Sequence, residues 1–237
     1  MKLTDTIKTE YADISQTEIS ELKKNKNASA LEEIYEMWLD EFKQIENMQY
    51  DPDIQNSSAR GMILASKIQY SPLDITHLSL IIDEGKEERD YLHKFSGSFF
   101  STLINMHYKK TKTTEVYTLF TTGSATNEKT GLDFIGFQND GATILVKGDV
   151  GENLADQMHS GKIIIEGKVG GEIGLNMTFG HIEIQNGCTY LRVDSDIEKK
   201  AFRDVYISIT GEIDELEYSP NARGHKIILN GKKLNFT

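Results

Sequence analysis

Along the first third of the chain, apolar residues recur at three- and four-residue steps. Leu31, Ile34, Tyr35, Trp38, Phe42 and Ile45 keep this spacing best. It is the spacing of one face of a helix, and it predicts a helix over roughly 30–47. Ser29-Ala-Leu-Glu32 reads as its capping box, and Asp51-Pro52-Asp53 ends it. The opposite face carries Glu32, Glu33, Asp40, Glu41 and Glu46, which is read as solvated. A shorter helix is expected in ISQTEISELKK, with Ser15 as cap and Glu18 three residues on. Residues 58–70, with Met62, Ile63 and Ala65, predict another, which Ser71-Pro72 stops. Asp74 then caps the run ITHLSLII, whose apolar positions are too dense to separate strand from helix. Leu92, Phe95, Phe99, Leu103 and Met106 return to helical spacing within 86–108. Gly97 weakens that helix by up to ~1 kcal/mol against alanine.

At Glu115 the period changes. VYTLF, TILV, KIII, HIEI, DVYISIT and HKIIL are β-branched runs separated by glycine turns, and each predicts a strand. The polar run Lys109-Lys110-Thr111-Lys112 marks the switch. The expected organisation is a helical region over 1–110 and a strand-built domain over 111–237.

Within the strand region, residues 143–180 contain the same 19-residue unit twice, TILVKGDVGENLADQMHSG and KIIIEGKVGGEIGLNMTFG. Ile144 falls over Ile163, Val146 over Ile165, Gly148 over Gly167, Val150 over Val169 and Met158 over Met177. Gly151 falls over Gly170, at what is expected to be a turn that admits no β-branched residue. The first two columns continue into Ile182 and Ile184, and Gly136, Ala155 and Gly174 form a column of small residues suited to a tight corner. A unit this short leaves ~10 residues between successive strands, too few for a helical crossover. Short strands and turns, stacked as parallel ladders about 4.8 Å apart, are the architecture it predicts. Gly167-x-x-Gly170-Gly171-x-x-Gly174 lacks the spacing of a dinucleotide-binding turn and leaves no room for its helix.

Gly167-x-x-Gly170-x-x-x-Gly174, with KIIIEG before it and Met177-x-x-Gly180 after it, resembles the GXGXG repeat. That repeat builds the β-helix at the C-terminus of the large chain of glutamate synthase and in one of the chains of formylmethanofuran dehydrogenase. The resemblance covers about residues 130–190. It implies an α+β chain in which a mostly helical N-terminal region precedes a right-handed parallel β-helix, a solenoid with ~19-residue turns. In those enzymes the β-helix is a non-catalytic scaffold packed against subunits or domains that hold flavin, metal or cluster. The implied function is therefore a scaffold or protein-interaction module associated with a redox enzyme complex. Three features depart from the family. No catalytic domain accompanies the repeat, the first turn is lengthened around SATNEKTG, and the third turn has Asn186, Thr189 and Asp196 where the pattern has glycine, glycine and methionine. No catalytic residue can be carried over, and none is assigned.

Composition narrows the chemistry. The net charge of −11 argues against a large phosphate-binding surface, so no nucleic-acid partner is expected. No stretch approaches the ~18 apolar residues of a membrane span, and the opening MKLTDTIKTEYADIS is interrupted by acids, which predicts a cytoplasmic protein without a membrane partner. The single cysteine, Cys188, excludes an intrachain disulfide, an iron–sulfur cluster or a Cys-rich zinc site held by this chain alone. It falls in the column of Val150 and Val169, a core position rather than that of a nucleophile. His159 aligns with Thr178 and His181 with Lys162, so the two would not meet as ligands, and His77, His93 and His107 lie in the helical region. Met158 and Met177 are read as stacked core residues. Asp194, Asp196, Glu198 and Asp204 gather where the repeat decays and read as a solvated loop. The alternative class is an enzyme acting on a small molecule or glycan. It would use those acids as in carbohydrate-active β-helices, or His159 as the base of a hexapeptide acyltransferase, whose period is 18 rather than 19. No cofactor, metal or catalytic residue is expected, and the expected partner is another protein or a second copy of the chain.

Overall fold

In the computed structural model, which describes residues 26–46, 65–84, 95–121, 132–193, 204–218 and 225–234, the first apolar stripe behaves as its spacing dictates. Leu31, Ile34, Tyr35 and Trp38 are buried on one face of helix α1 (Lys26–Glu46). Lys26, Asn27 and Ala28 are already helical, so Ser29 sits inside the helix rather than capping it. The helix expected around Ser15 and residues 58–64 of the one expected over 58–70 lie outside the described residues, as do Asp194, Asp196 and Glu198; of the rest, Ala65 is helical and 66–70 are turn and loop.

The ambiguous run ITHLSLII is helical, within α2 (Pro72–Glu84). Ser71-Pro72 starts this helix instead of stopping one. The Ser71 amide donates to the Asp74 carboxylate at 2.8 Å, and the Asp74 amide donates to the Ser71 hydroxyl at 3.3 Å. These are the two reciprocal bonds of a capping box, with proline at the first helical position, where its missing N–H costs nothing. Helix α3 (Ser96–Thr111) ends in Lys112, which turns left-handed at φ 50° and returns its amide to the Tyr108 carbonyl. Helices α1 and α3 meet through aromatic rings. Phe99 lies edge-on to Tyr35 at 5.3 Å and tilted against Trp38 at 5.4 Å, while the Tyr35 hydroxyl bonds Ser96 at 2.7 Å.

The described strands are β1 (Tyr117–Phe120), β2 (Asp140–Lys147), β3 (Val150–Leu154), β4 (Ser160–Ile165), β5 (Val169–Ile173), β6 (Phe179–Ile184), β7 (Cys188–Val193), β8 (Asp204–Ile209), β9 (Ile213–Tyr218), β10 (His225–Leu229) and β11 (Lys232–Lys233). They form two sheets. Sheet A has seven strands in the order β1-β2-β4-β6-β8-β10-β11, and sheet B has four in the order β3-β5-β7-β9. The repeat copies pair as they align, Ile144 with Ile163 and Ile163 with Ile182 in sheet A, Val150 with Val169 and Val169 with Cys188 in sheet B.

The architecture as a whole differs from the right-handed β-helix solenoid with ~19-residue turns expected from the sequence. Among the described residues, three helices and eleven strands in two mostly parallel sheets make an α/β-like arrangement. Outside the two matching copies the pairing spans unequal lengths of chain, as in Tyr117 with Ile144, Ile182 with Ile207 and Ile207 with Ile227. Sheet A ends in an antiparallel pair, β10 with β11. The helices also share the strands' core: Leu31, Trp38, Leu78 and Leu103 belong to one buried cluster with Ile144, Ile163, Val169 and Ile207. A short repeat fixes how its own copies pair, and it does not dictate what flanks them.

The small-residue column is a corner. Gly136, Ala155 and Gly174 have φ of 75°, 60° and 68°, and a Cβ on Gly136 would overlap the Ile163 side chain. Gly151 and Gly170, by contrast, lie within β3 and β5, and neither has a positive φ, so the turn expected there is absent.

Two sheet edges are covered, and a third ends in a very short strand. On β1, the Thr118 carbonyl accepts the Thr76 hydroxyl at 2.8 Å and the Phe120 amide donates to the Ser79 hydroxyl at 3.0 Å, both from α2. On β3, the chain over 132–138 supplies the partners: Gly151 bonds Leu132, Phe134 bonds Glu152, and Ala155 bonds Ile135. Helix α3 clamps that segment with Ser101, which accepts the Gly136 amide at 2.7 Å, and with Asn105, which donates to the Phe137 carbonyl at 3.1 Å. Sheet A ends on its other side in the two-residue β11, Lys232–Lys233, which pairs with the end of β10.

Candidate interaction surface

Strand alternation sends every second residue of sheet A away from the core. Two columns of such residues cross the sheet. One runs Thr143, Lys162, His181, Tyr206, Lys226, and the next runs Leu145, Ile164, Glu183, Ser208, Ile228. All but the exposed Lys226 are half-buried. Exposed Phe179 shares their face at one end of β6. The helices pack mainly against β1 and β2, away from the middle of these columns.

The columns interlock through rings and charges. The His181 and Tyr206 rings stand at 82° with centroids 4.3 Å apart, and the Lys226 ammonium lies 5.1 Å from the centre of the Tyr206 ring. Lys162 pairs with Glu183 at 3.1 Å. His181 Nε2 is shielded from solvent and has no hydrogen-bond partner among the described residues. Burial and then the Lys162 ammonium lower the pKa of this imidazole, with Glu183 pulling the other way. The neutral ring is therefore favoured, an aromatic surface rather than a cation.

Two further polar groups lie elsewhere. Between α3 and β1, His107 Nδ1 bonds the Tyr117 hydroxyl at 2.8 Å, and the Tyr70 ring lies 5.5 Å from the imidazole. Burial lowers the His107 pKa and pushes the Tyr117 phenol up to about 12. The Tyr70 hydroxyl, also pushed up by burial, donates to the Leu103 carbonyl at 2.9 Å. This trio joins helix to strand. At the corner following β3, burial raises the Asp156 pKa against hydrogen bonds from Asn176 and Gln157, and its Oδ1 has no partner among the described residues.

Cys188 is fully buried beside Val169, and burial pushes its thiol up to about 12. Met158 and Met177 are buried in the same core. His159 is exposed, while His181 pairs with Lys162, so the two occupy different columns. Asp204 opens β8 opposite Phe179. Among the described residues, no three His, Cys, Asp or Glu side chains gather in a way that could hold a metal, and no helix is long and apolar enough to cross a membrane. Sequence reading missed Tyr206, Lys226 and Glu183 as neighbours of His181. Tyr206 and Lys226 lie on strands outside the 19-residue period, so no alignment of repeats could place them in the His181 column.

No protein-family model matches this chain, and no curated protein or solved structure matches it either.

Proposed function

We propose that the protein is a non-catalytic interaction module that binds a protein partner through the outward face of sheet A. The observation that carries this reading is the composition of that face: Leu145, Ile164, Ile228, Tyr206 and Phe179 beside the Lys162–Glu183 pair and Lys226. Parallel sheets are ordinarily covered on both sides. Aliphatic and aromatic side chains ringed by charges are also what the centre and rim of a protein interface present. The neutral His181 ring adds to the aromatic centre. The expected cytoplasmic location belongs to the same proposal. The sequence resemblance adds the catalytic components of redox complexes as a partner class.

The test compares the wild-type protein with Ile164→Glu and Tyr206→Ser in capture from native lysate, followed by measurement of affinity for whatever the wild type retains. Both positions point out of the core, so both variants should fold. The reading predicts a partner held by the wild type and lost by both variants. Equal capture by all three, or capture of nothing by a protein that turns over a metabolite, would defeat it in favour of the enzyme class.

A further inference from the structure

The fourth sheet edge, at β9, has no partner strand among the described residues. Strand β9 is the last of sheet B, paired to β7 on one side, and among the described residues nothing pairs with its other side. The edges at β1 and β3 are covered by the hydroxyls of α2 and by the 132–138 segment, and sheet A ends on its other side in the two-residue β11. An unpaired edge presents a row of amides and carbonyls that accept another strand.

The chemistry of β9 selects the strand it can take. Its sequence is IDELEY, and Glu212 just before it, Asp214 and Glu215 are all exposed. Asp214 holds Lys168 at 2.7 Å, and no ion pair of Glu212 or Glu215 occurs among the described residues. A second copy is a poor match. Pairing with another β9 would bring a second set of exposed acids against Asp214 and Glu215, and like charges set opposite each other are destabilising. We infer that the free edge of β9 is a docking strand for an extended, lysine- or arginine-bearing segment of another protein, which adds to sheet B as its next strand. Backbone bonds would supply affinity, and the acids would select basic side chains at alternate positions. This surface is distinct from the outward face of sheet A, and either can fail alone.

The test titrates the full chain with three synthetic peptides of about eight residues, the length of a long strand. One alternates lysine with valine, one has the same composition with a central proline, and one has glutamate in place of lysine. The alternating basic peptide should bind, and more weakly as salt rises. The proline peptide, which loses ladder bonds, should bind about tenfold more weakly, and the acidic peptide should not bind. Hydrogen exchange at 213–218 should slow when the basic peptide is present. Glu215→Lys, a change at an exposed position, should weaken binding about three- to tenfold. Equal binding of the proline peptide would reduce the effect to net charge. That result, protection arising elsewhere in the chain, or no binding at all would overturn the inference.

Discussion

The Thr76 hydroxyl reaches across from α2 to the Thr118 carbonyl of β1 at 2.8 Å, so a helix side chain occupies the place of a neighbouring strand. One turn along the helix, the Ser79 hydroxyl accepts from the Phe120 amide at 3.0 Å and donates to the Thr76 carbonyl at 2.7 Å. Removing both hydroxyls with Thr76→Val and Ser79→Ala leaves a partly buried carbonyl and amide without partners. Each loss should cost ~1–2 kcal/mol, and the exposed edge should raise the tendency to self-associate. Urea unfolding and light scattering of the double variant check this. An unchanged midpoint would mean that water serves the β1 edge equally well.

Gly97 carries a sign reversal. Helix propensity alone says that Gly97→Ala should stabilise α3 by up to ~1 kcal/mol. In the fold, a Cβ at Gly97 would overlap the Asp133 carbonyl oxygen, and Ser101 and Asn105 hold the helix at that distance. The substitution should therefore destabilise by ~2 kcal/mol or more, read as a lower melting temperature. A rise would show that α3 can draw back from the 132–138 segment.

Gly148 and Gly170 separate two glycine roles. Gly148 has φ 122°, and a Cβ there would overlap the Thr121 carbonyl oxygen, so Gly148→Ala should cost ~2 kcal/mol or more. Gly170 is an ordinary strand residue without positive φ, and Gly170→Ala should stay within about 0.5 kcal/mol. Comparable melting shifts in the two variants would contradict this assignment of the corners.

Those glycines also mark how far the sequence could be read. The pairing of Ile144 with Ile163 and Ile182 was legible because side-chain type repeats at a fixed spacing, and the corner at Gly136, Ala155 and Gly174 was legible because only small residues recur there. Gly151 and Gly170 repeat equally well and yet lie in strands. Recurrence identifies equivalent positions without saying what backbone conformation they share. The strands β1, β8 and β10 pair over other chain lengths, so neither the seven-stranded sheet nor the Tyr206–Lys226 neighbourhood of His181 left a periodic trace. The helix at ITHLSLII was hidden for a different reason. It is buried on most sides by β1 and α1, which erases the polar face that distinguishes a helix from a strand.

Cys188 should behave as a small core hydrophobe. It has no solvent exposure, and burial raises its thiol from an ordinary value of 9.0 to about 12. A thiol reagent should label it slowly in the native protein and rapidly after unfolding, and Cys188→Val should fold. Because the folded thiol holds its proton more tightly than the unfolded one, its contribution is intact below about pH 9 and is lost as pH rises toward 12. The stability gap between wild type and Cys188→Val should therefore shift against the wild type over that range. Fast stoichiometric native labelling would refute the burial.

The two shifted histidines should weaken the fold in mild acid. His107 is lowered below 6.5 chiefly by burial; Glu115 and Asp74 oppose the shift, while Lys110 reinforces it. Its Nδ1 bonds the Tyr117 hydroxyl, and Tyr70 packs against the ring. His181 is lowered by burial and by Lys162, with Glu183 opposing. A folded pKa below the unfolded one means that the unfolded chain binds the proton first. The stabilisation is thus complete above about pH 6.5 and declines as pH falls toward each folded pKa. Imidazole proton resonances followed by NMR should titrate with midpoints below 6.5 at both residues. His181→Gln removes one of the two groups, so its unfolding midpoint should fall less than the wild type's between about pH 7 and about pH 5. A midpoint above 6.5 at His107 would instead mean that Glu115 outweighs burial, and the junction of α3 with β1 would then gain stability from protonation.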